Sequence, residues 1–366
     1  MRAAAAAAPI IARRPLGRGG LALGIGAMLL VAALMAAVAA GSVGVGIGET
    51  AAILGRRLLG LPIPRTWPLS AETIIVELRL PRVLTAMLVG GGLAMAGTVF
   101  QALLRNPMAD PYIIGTAAGA SLGAITGLLA PILLPALAIG AGTVWLGLGA
   151  VQVLAFAGGL GTVLLVYSIA RQGGQVPVVT LLLTGYAVSS ILAAGVALLM
   201  FLSGRALGAI FGWLMGSLAG ATWPGLAFSA PILAVSFGLL LLRWRRLNVL
   251  LLGDTAAAHL GIDVEREKLT LTVLATLGTS AAVAISGTIG FVGLVVPHVL
   301  RLAVGPDHRL LLPASVLYGA ALLTLADLGA RLAGGIPVGI VTALIGAPFF
   351  LWLLRRSRAV RPVITA

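Results

Sequence analysis

The sequence predicts an all-α polytopic membrane protein with ten transmembrane helices. Three observations predict it. The first is composition: of 366 residues, 60% are hydrophobic and 9% charged, with a mean hydropathy of +1.13. An ordinary soluble domain carries about 25% charged residues, which keep its surface in water. Too few are present here to coat a globule, which excludes a soluble enzyme, a disordered chain and a nucleic-acid-binding domain. The second is a series of apolar runs near the roughly 20 residues that a spanning helix needs. The third is the placement of the basic residues, which outnumber the acids 24 to 10.

In chain order the ten spans cover residues 21–47, 83–104, 112–130, 144–169, 178–202, 226–242, 269–285, 289–302, 310–328 and 338–354. Span 8 is too short to cross alone and lies in a stretch rich in Gly and Pro. Residues 207–218 are also too short, and Gly204 and Gly220 flank them. They are read as a re-entrant helix after span 5; the alternative, an eleventh span, would reverse the topology. Span 1 follows Arg13, Arg14 and Arg18 and is much longer than the 7–15-residue core of a signal peptide, so it is read as retained. The expected division is a basic arm at residues 1–20, one transmembrane domain at 21–356 and a tail at 357–366.

Ten spans put both termini on the same side. With that side cytoplasmic, 17 Lys and Arg lie inside and 7 outside, as the positive-inside rule requires. The expectation is a multi-pass protein of the cytoplasmic (inner) membrane with both ends inside. Arg79, Arg82 and Arg331 go against the trend, at helix mouths on the outer side. Two readings stand for Arg79 and Arg82: they snorkel at a helix start, or they meet carboxylates of a partner.

Small residues let helices approach closely in lipid, and the chain has 50 glycines, Gly90-Gly91-Gly92 among them. The stretch from Leu93 to Val99 (LAMAGTV) resembles that from Val283 to Ile289 (VAISGTI), in spans 2 and 7. Five helices of offset would place the copies in opposite orientations. That suggests an inverted repeat of helices 2–5 and 7–10, a transporter signature; a chance match of seven residues is the alternative.

The chemistry that is missing narrows the function. The chain has no Cys and a single Lys, Lys268, so it has no thiolate site and no G-x-x-x-x-G-K-[ST] phosphate loop. His259, His298 and His308 form no H-E-x-x-H, and no Asp-rich pair holds a metal. Only Asp327 lies clearly within a span, and Asp327 and Arg331 stand one helical turn apart, suited to pairing. The expectation is a passive pathway energised from elsewhere, not an enzyme and with no cofactor of its own; a proton-coupled secondary transporter is the alternative of another class. Residues 243–268, between spans 6 and 7, hold four of the ten acids among apolar residues. Gly253 and Gly261 divide this segment into short helices. A helix that merely lies on anionic lipid is rich in Lys and Arg, so the acids favour docking of a soluble subunit.

Several blocks together resemble the FecCD family, permease subunits of ABC importers for iron–siderophores, haem and vitamin B12. They are LRLPR (from Leu78), QALLRNPMADP (from Gln101), GDxxAxxLG (from Gly253), SGTIGFVGLVVPHVxR (from Ser286), DHRxLLP (from Asp307), ADxxAR (from Ala326) and PxGxxTAxxGAPxF (from Pro337). The resemblance implies ten helices per subunit and a homodimer or a pair of similar subunits. It implies two separate cytoplasmic ATP-binding subunits, which carry the ATP and Mg. These would dock on the loop that includes Leu250, Gly253, Asp254, Ala258, His259, Leu260 and Gly261. A soluble binding protein would deliver substrate to Arg79, Arg82 and Arg331. The family's cytoplasmic gate falls on Asn106, Met108, Val178 and Val179; the two valines depart from the small polar residues of the B12 permeases. An iron chelate is the expected cargo, with cobalamin the alternative.

Overall fold

The computed structural model describes residues 16–41, 44–133 and 149–359. The basic arm before residue 16, with Arg2, Arg13 and Arg14, lies outside them. So do the first residues of span 4 (144–148) and the end of the tail. Among the described residues the structure is helical throughout. The long helices are α1 (Leu16–Ala39), α3 (Leu69–Leu103), α5 (Ala150–Ala170), α6 (Val178–Leu202), α8 (Trp223–Leu242), α11 (Val264–Ser286) and α13 (His308–Leu332). All seven are long and apolar enough to cross a membrane, and three shorter apolar helices complete the ten: α4 (Thr116–Leu133), α12 (Val292–Val304) and α14 (Val338–Ala359).

Four smaller helices join them. They are α2 (Ile47–Leu59), α7 (Leu207–Leu214), α9 (Trp244–Leu250) and α10 (Asp254–His259). Several boundaries differ from expectation by a few residues or more. Span 1 ends at Ala39 instead of residue 47. Span 2 begins at Leu69, well before residue 83, because a π-helical turn over Ile74–Arg79 carries the helix through without a break. The final helix runs past residue 356 to Ala359.

α3 is the central strut. Its final stretch, from Val89 to Leu103, is buried on all sides. Glycine makes this possible. A Cβ at Gly97 would run into the Gly293 carbonyl on α12, and one at Gly90 into the Gly319 carbonyl on α13. Backbones in lipid gain mainly from such close packing, since the surrounding tails are as apolar as leucine. On the other side α4 and α5 pair in the same way, with Gly123 against the Leu154 carbonyl and Gly119 against Thr162.

The heptapeptide behind the repeat sits in two different backbone settings. Gly97 lies inside α3, whereas Gly287 terminates α11 at φ 68°, a conformation that only glycine adopts at no steric cost. The break that follows, residues 287–291, is covered by the expected re-entrant segment. Ser217 N–H donates to the Ser286 carbonyl at 2.8 Å and Thr288 Oγ1 to the Leu214 carbonyl at 2.6 Å. Tyr112 Oη donates to the Ile289 carbonyl at 3.1 Å. Irregular backbone at membrane depth is tolerated only where protein satisfies it, and α7 with Tyr112 does so. That also explains how a 13-residue α12, about 20 Å long, takes its place in the bundle.

α6 behaves differently. Leu183, Tyr186, Ile191, Leu198 and Phe201 are all exposed, and few of its residues are buried. Among the described residues α6 packs against α4 and α5 along one side and leaves the rest of its apolar surface open to lipid or a second subunit.

Candidate functional site

The sequence-predicted residues collect around the π-helical turn of α3 and around its far end. Just past that turn, Asp327 on α13 is 1% exposed and gathers two arginines. Arg82 Nε donates to both carboxylate oxygens at 3.0 and 3.1 Å, and its Nη2 donates to Oδ1 at 2.8 Å. Arg331 Nε lies 3.2 Å from Oδ2, the pairing expected from one-turn spacing. The bidentate Arg82 bond joins residues 245 apart, which sequence reasoning missed. Arg331 also donates to the Ala37 carbonyl at 2.8 Å and the Ala40 carbonyl at 3.3 Å. Arg79 donates to the Val38 and Ala39 carbonyls at 3.1 and 2.9 Å. These are the last carbonyls of α1, which have no partner within their own helix and carry the negative end of its dipole. Two guanidiniums therefore cap α1, and one carboxylate fixes α3 to α13. Three arginines against one aspartate leave the mouth positive, and Arg82 keeps about a fifth of its side chain exposed.

Beside this mouth, α2 and the residues that follow it hold a second buried acid. Glu72 accepts from Arg57 and from Trp67 Nε1 (3.3 Å), and Arg65 stands 3.7 Å away. No sequence signal marked Glu72, because its partners lie 5–15 residues upstream in a stretch without periodicity.

At the opposite end of α3 lie residues 243–268. The glycine breaks fall where expected: Gly253 (φ 107°) and Gly261 (φ 80°) flank α10. Leu250 is 3% exposed and serves as an apolar anchor of α9. Gly253 and Asp254 are half-buried, while Ala258, His259, Leu260 and Gly261 are exposed. The free face is thus the second half of the predicted docking set. The segment is tied down firmly. Glu267 accepts from Arg243 at 2.8 Å and from Arg246 at 2.5 Å. Asn248 Nδ2 donates to Asp307 at 2.8 Å, and Asn248 Oδ1 accepts the His308 N–H at 2.9 Å. These bonds lock α9 onto the start of α13.

The residues expected to form the gate sit at this same end. Asn106 and Met108 lie in the turn after α3, where Asn106 Oδ1 accepts the Met108 N–H at 2.9 Å. Val178 begins α6, and Val179 beside it is exposed. A cavity of ~20 Å³ brings Leu103 and Leu104 of the α3 end to Val178 and Lys268. Asp110 completes the turn by accepting the Tyr112 N–H at 2.9 Å. Burial pushes its carboxyl up to about 6, against the Tyr112 bond, which lowers it. Sequence reasoning did not single out Arg105, Asp254 and Lys268 as a group. Arg105 donates to Asp254 at 2.6 Å, and Lys268 donates to the other Asp254 oxygen at 2.6 Å.

The bundle thus carries a basic mouth at one end and an exposed short helix, α10, beside the turn after α3 at the other. The FecCD transport family matches residues 29–356, and the chain belongs to that family. It is 47% identical over 295 residues to the cobalamin import system permease protein BtuC of Halobacterium salinarum, covering 80% of this chain and 76% of that one. It is 41% identical over 292 residues to the hemin transport system permease protein HmuU of Yersinia pestis, covering 79% and 85%. A solved structure described as an inward-facing conformation of a metal-chelate type ABC transporter superposes with a TM-score of 0.77 at 31% identity, covering 92% of this chain and 99% of that one.

Proposed function

We propose that this chain is the membrane permease subunit of an ABC importer that brings an iron chelate, a siderophore or haem, into the cytoplasm. The observation that carries the reading is the run of FecCD blocks across nearly the whole bundle, with α10 presented at one end and the arginine mouth at the other. The α10 end faces the cytoplasm, as do both termini. Two ATP-binding subunits, which hold the ATP and Mg, dock on the Ala258–Gly261 face, and the permease chain itself hydrolyses nothing. A substrate-binding protein on the outer side offers carboxylates to Arg82, and the buried Arg79 and Arg331 add positive charge behind it. Asp327 holds the Arg82 fork in place while the positive excess at the mouth steers the acidic partner. A second copy of the chain covers α6, so that substrate passes along the dimer axis between gates at Asn106, Met108, Val178 and Val179.

A cobalamin cargo is the second reading, favoured by the 47% identity to a cobalamin import permease. Uptake in liposomes decides between them. The permease is reconstituted with the ATPase and binding protein encoded beside it, and ferric siderophore, haem and cobalamin are offered in turn. ATP-dependent uptake of a ferric siderophore or haem supports the first reading; uptake of cobalamin alone supports the second.

A further inference from the structure

We infer that Lys268 is a positioning residue that ties the docking helix α10 to both flanks of the gate, and that this tie passes movement of α10 to the gate. The inference rests on the importer reading above. Lys268 is the only lysine in the chain. It lies in the second turn of α11 with its side chain 12% exposed, and its ammonium serves two carboxylates. Nζ donates to Asp254 Oδ2 at 2.6 Å and to Glu265 Oε1 at 3.3 Å.

Each carboxylate then uses its second oxygen on one flank of the gate. Asp254, the first residue of α10, accepts from Arg105 Nη2 at 2.6 Å through Oδ1. Arg105 immediately precedes Asn106 and is held at φ 47°, a backbone region that L residues seldom adopt. Glu265 Oε2 accepts the Val176 N–H at 2.9 Å, two residues before Val178. One ammonium thus joins the docking helix to the turn after α3 and to the start of α6.

The Arg105–Asp254 pair is exposed on both sides, 40% and 42%, and such pairs contribute little to stability, so folding alone does not account for that link. Geometry does. α10 has six residues and packs mainly on its neighbours α9 and α11. A subunit that moves α10 therefore moves Asp254, and with it Arg105. Lys268 is mostly buried, so salt screens it less than a surface charge. Its compact ammonium, with three donors, reaches carboxylates on two elements at once. The small cavity against Leu103, Leu104 and Val178 leaves these flanks room to shift.

The test uses the full complex in liposomes, with ATP hydrolysis and substrate uptake measured separately on the cargo that the wild type carries. Lys268→Met is expected to assemble with the ATPase and hydrolyse ATP, while uptake per ATP falls by about fivefold or more, the scale of a coupling free energy between sites. Lys268→Arg, which keeps the charge, restores most of it. Uptake per ATP that is unchanged in Lys268→Met overturns the inference, as does an Arg variant as defective as the Met variant. If Lys268→Met fails to assemble, Arg105→Gln, a change at a half-exposed prong, is decisive in its place. A fall in its uptake per ATP supports the inference, and an unchanged ratio overturns it. Failure of the importer reading shows up separately, as wild-type uptake that needs no ATPase.

Discussion

Asp327 shows what a single residue carries. It is buried with two guanidiniums around it, so removing its charge leaves them with no carboxylate between α3 and α13. Breaking a buried ion pair by deleting one partner costs roughly 3–5 kcal/mol. Asp327→Asn is expected to lower the thermal midpoint of the purified protein markedly, and Asp327→Glu to lower it less. Asp110 makes a prediction with a sign. Its carboxyl is raised from 3.8 to about 6 in the folded protein, so between those values the folded state binds more protons than the unfolded one. Stability therefore declines as pH rises through that window. In thermal melts across pH 4–7, Asp110→Asn is expected to gain on the wild type as pH rises; a constant difference would contradict this. The Arg331–Asp327 pair was legible because one helical turn separates the two. The Arg82–Asp327 bond was not, because no local rule links residues whose contact exists only after α3 and α13 pack.

At the scale of elements, periodic apolar runs revealed the helices, and the two glycines bounding α10 placed it to within a residue. Boundaries that depend on capping or continuity were less legible. Nothing in the sequence around Ile74–Arg79 announced a π-helical turn that joins residues 69–79 to span 2, and α2 has no long apolar run to mark it. The glycine contacts predict which helix pairs are least tolerant. Gly97→Val forces a branched side chain against the Gly293 carbonyl, where overpacking costs about 1–3 kcal/mol or more. It should reduce the yield of folded protein, whereas Gly238→Val, at a glycine with open space, should not. On α10, Leu260 is 62% exposed. Leu260→Glu is expected to abolish co-purification with the ATPase while shifting stability by no more than about 0.5 kcal/mol, the usual range for surface changes. Retained co-purification would remove α10 from the docking face.

For the whole molecule, composition and spacing were enough to read an all-α membrane bundle, and the order of the blocks was enough to read its family. The assembly was not legible in the same way, because α6 looks alike whether it faces lipid or a copy of itself. The absence of cysteine makes this testable. Single cysteines at Leu183, Tyr186 and Ile191 are the only thiols in their chains. If two copies meet along α6, at least one position forms a disulfide-linked dimer in membranes, which requires Cα atoms within about 7 Å. The central claim is that this bundle moves its cargo on energy supplied by a separate ATPase. The most direct test is uptake into liposomes by the reconstituted permease, ATPase and binding protein, with and without ATP. Uptake is expected to require all three proteins and ATP, and to be lost when Arg82→Glu disrupts the mouth. Uptake by the permease alone, driven by a proton gradient, would contradict it.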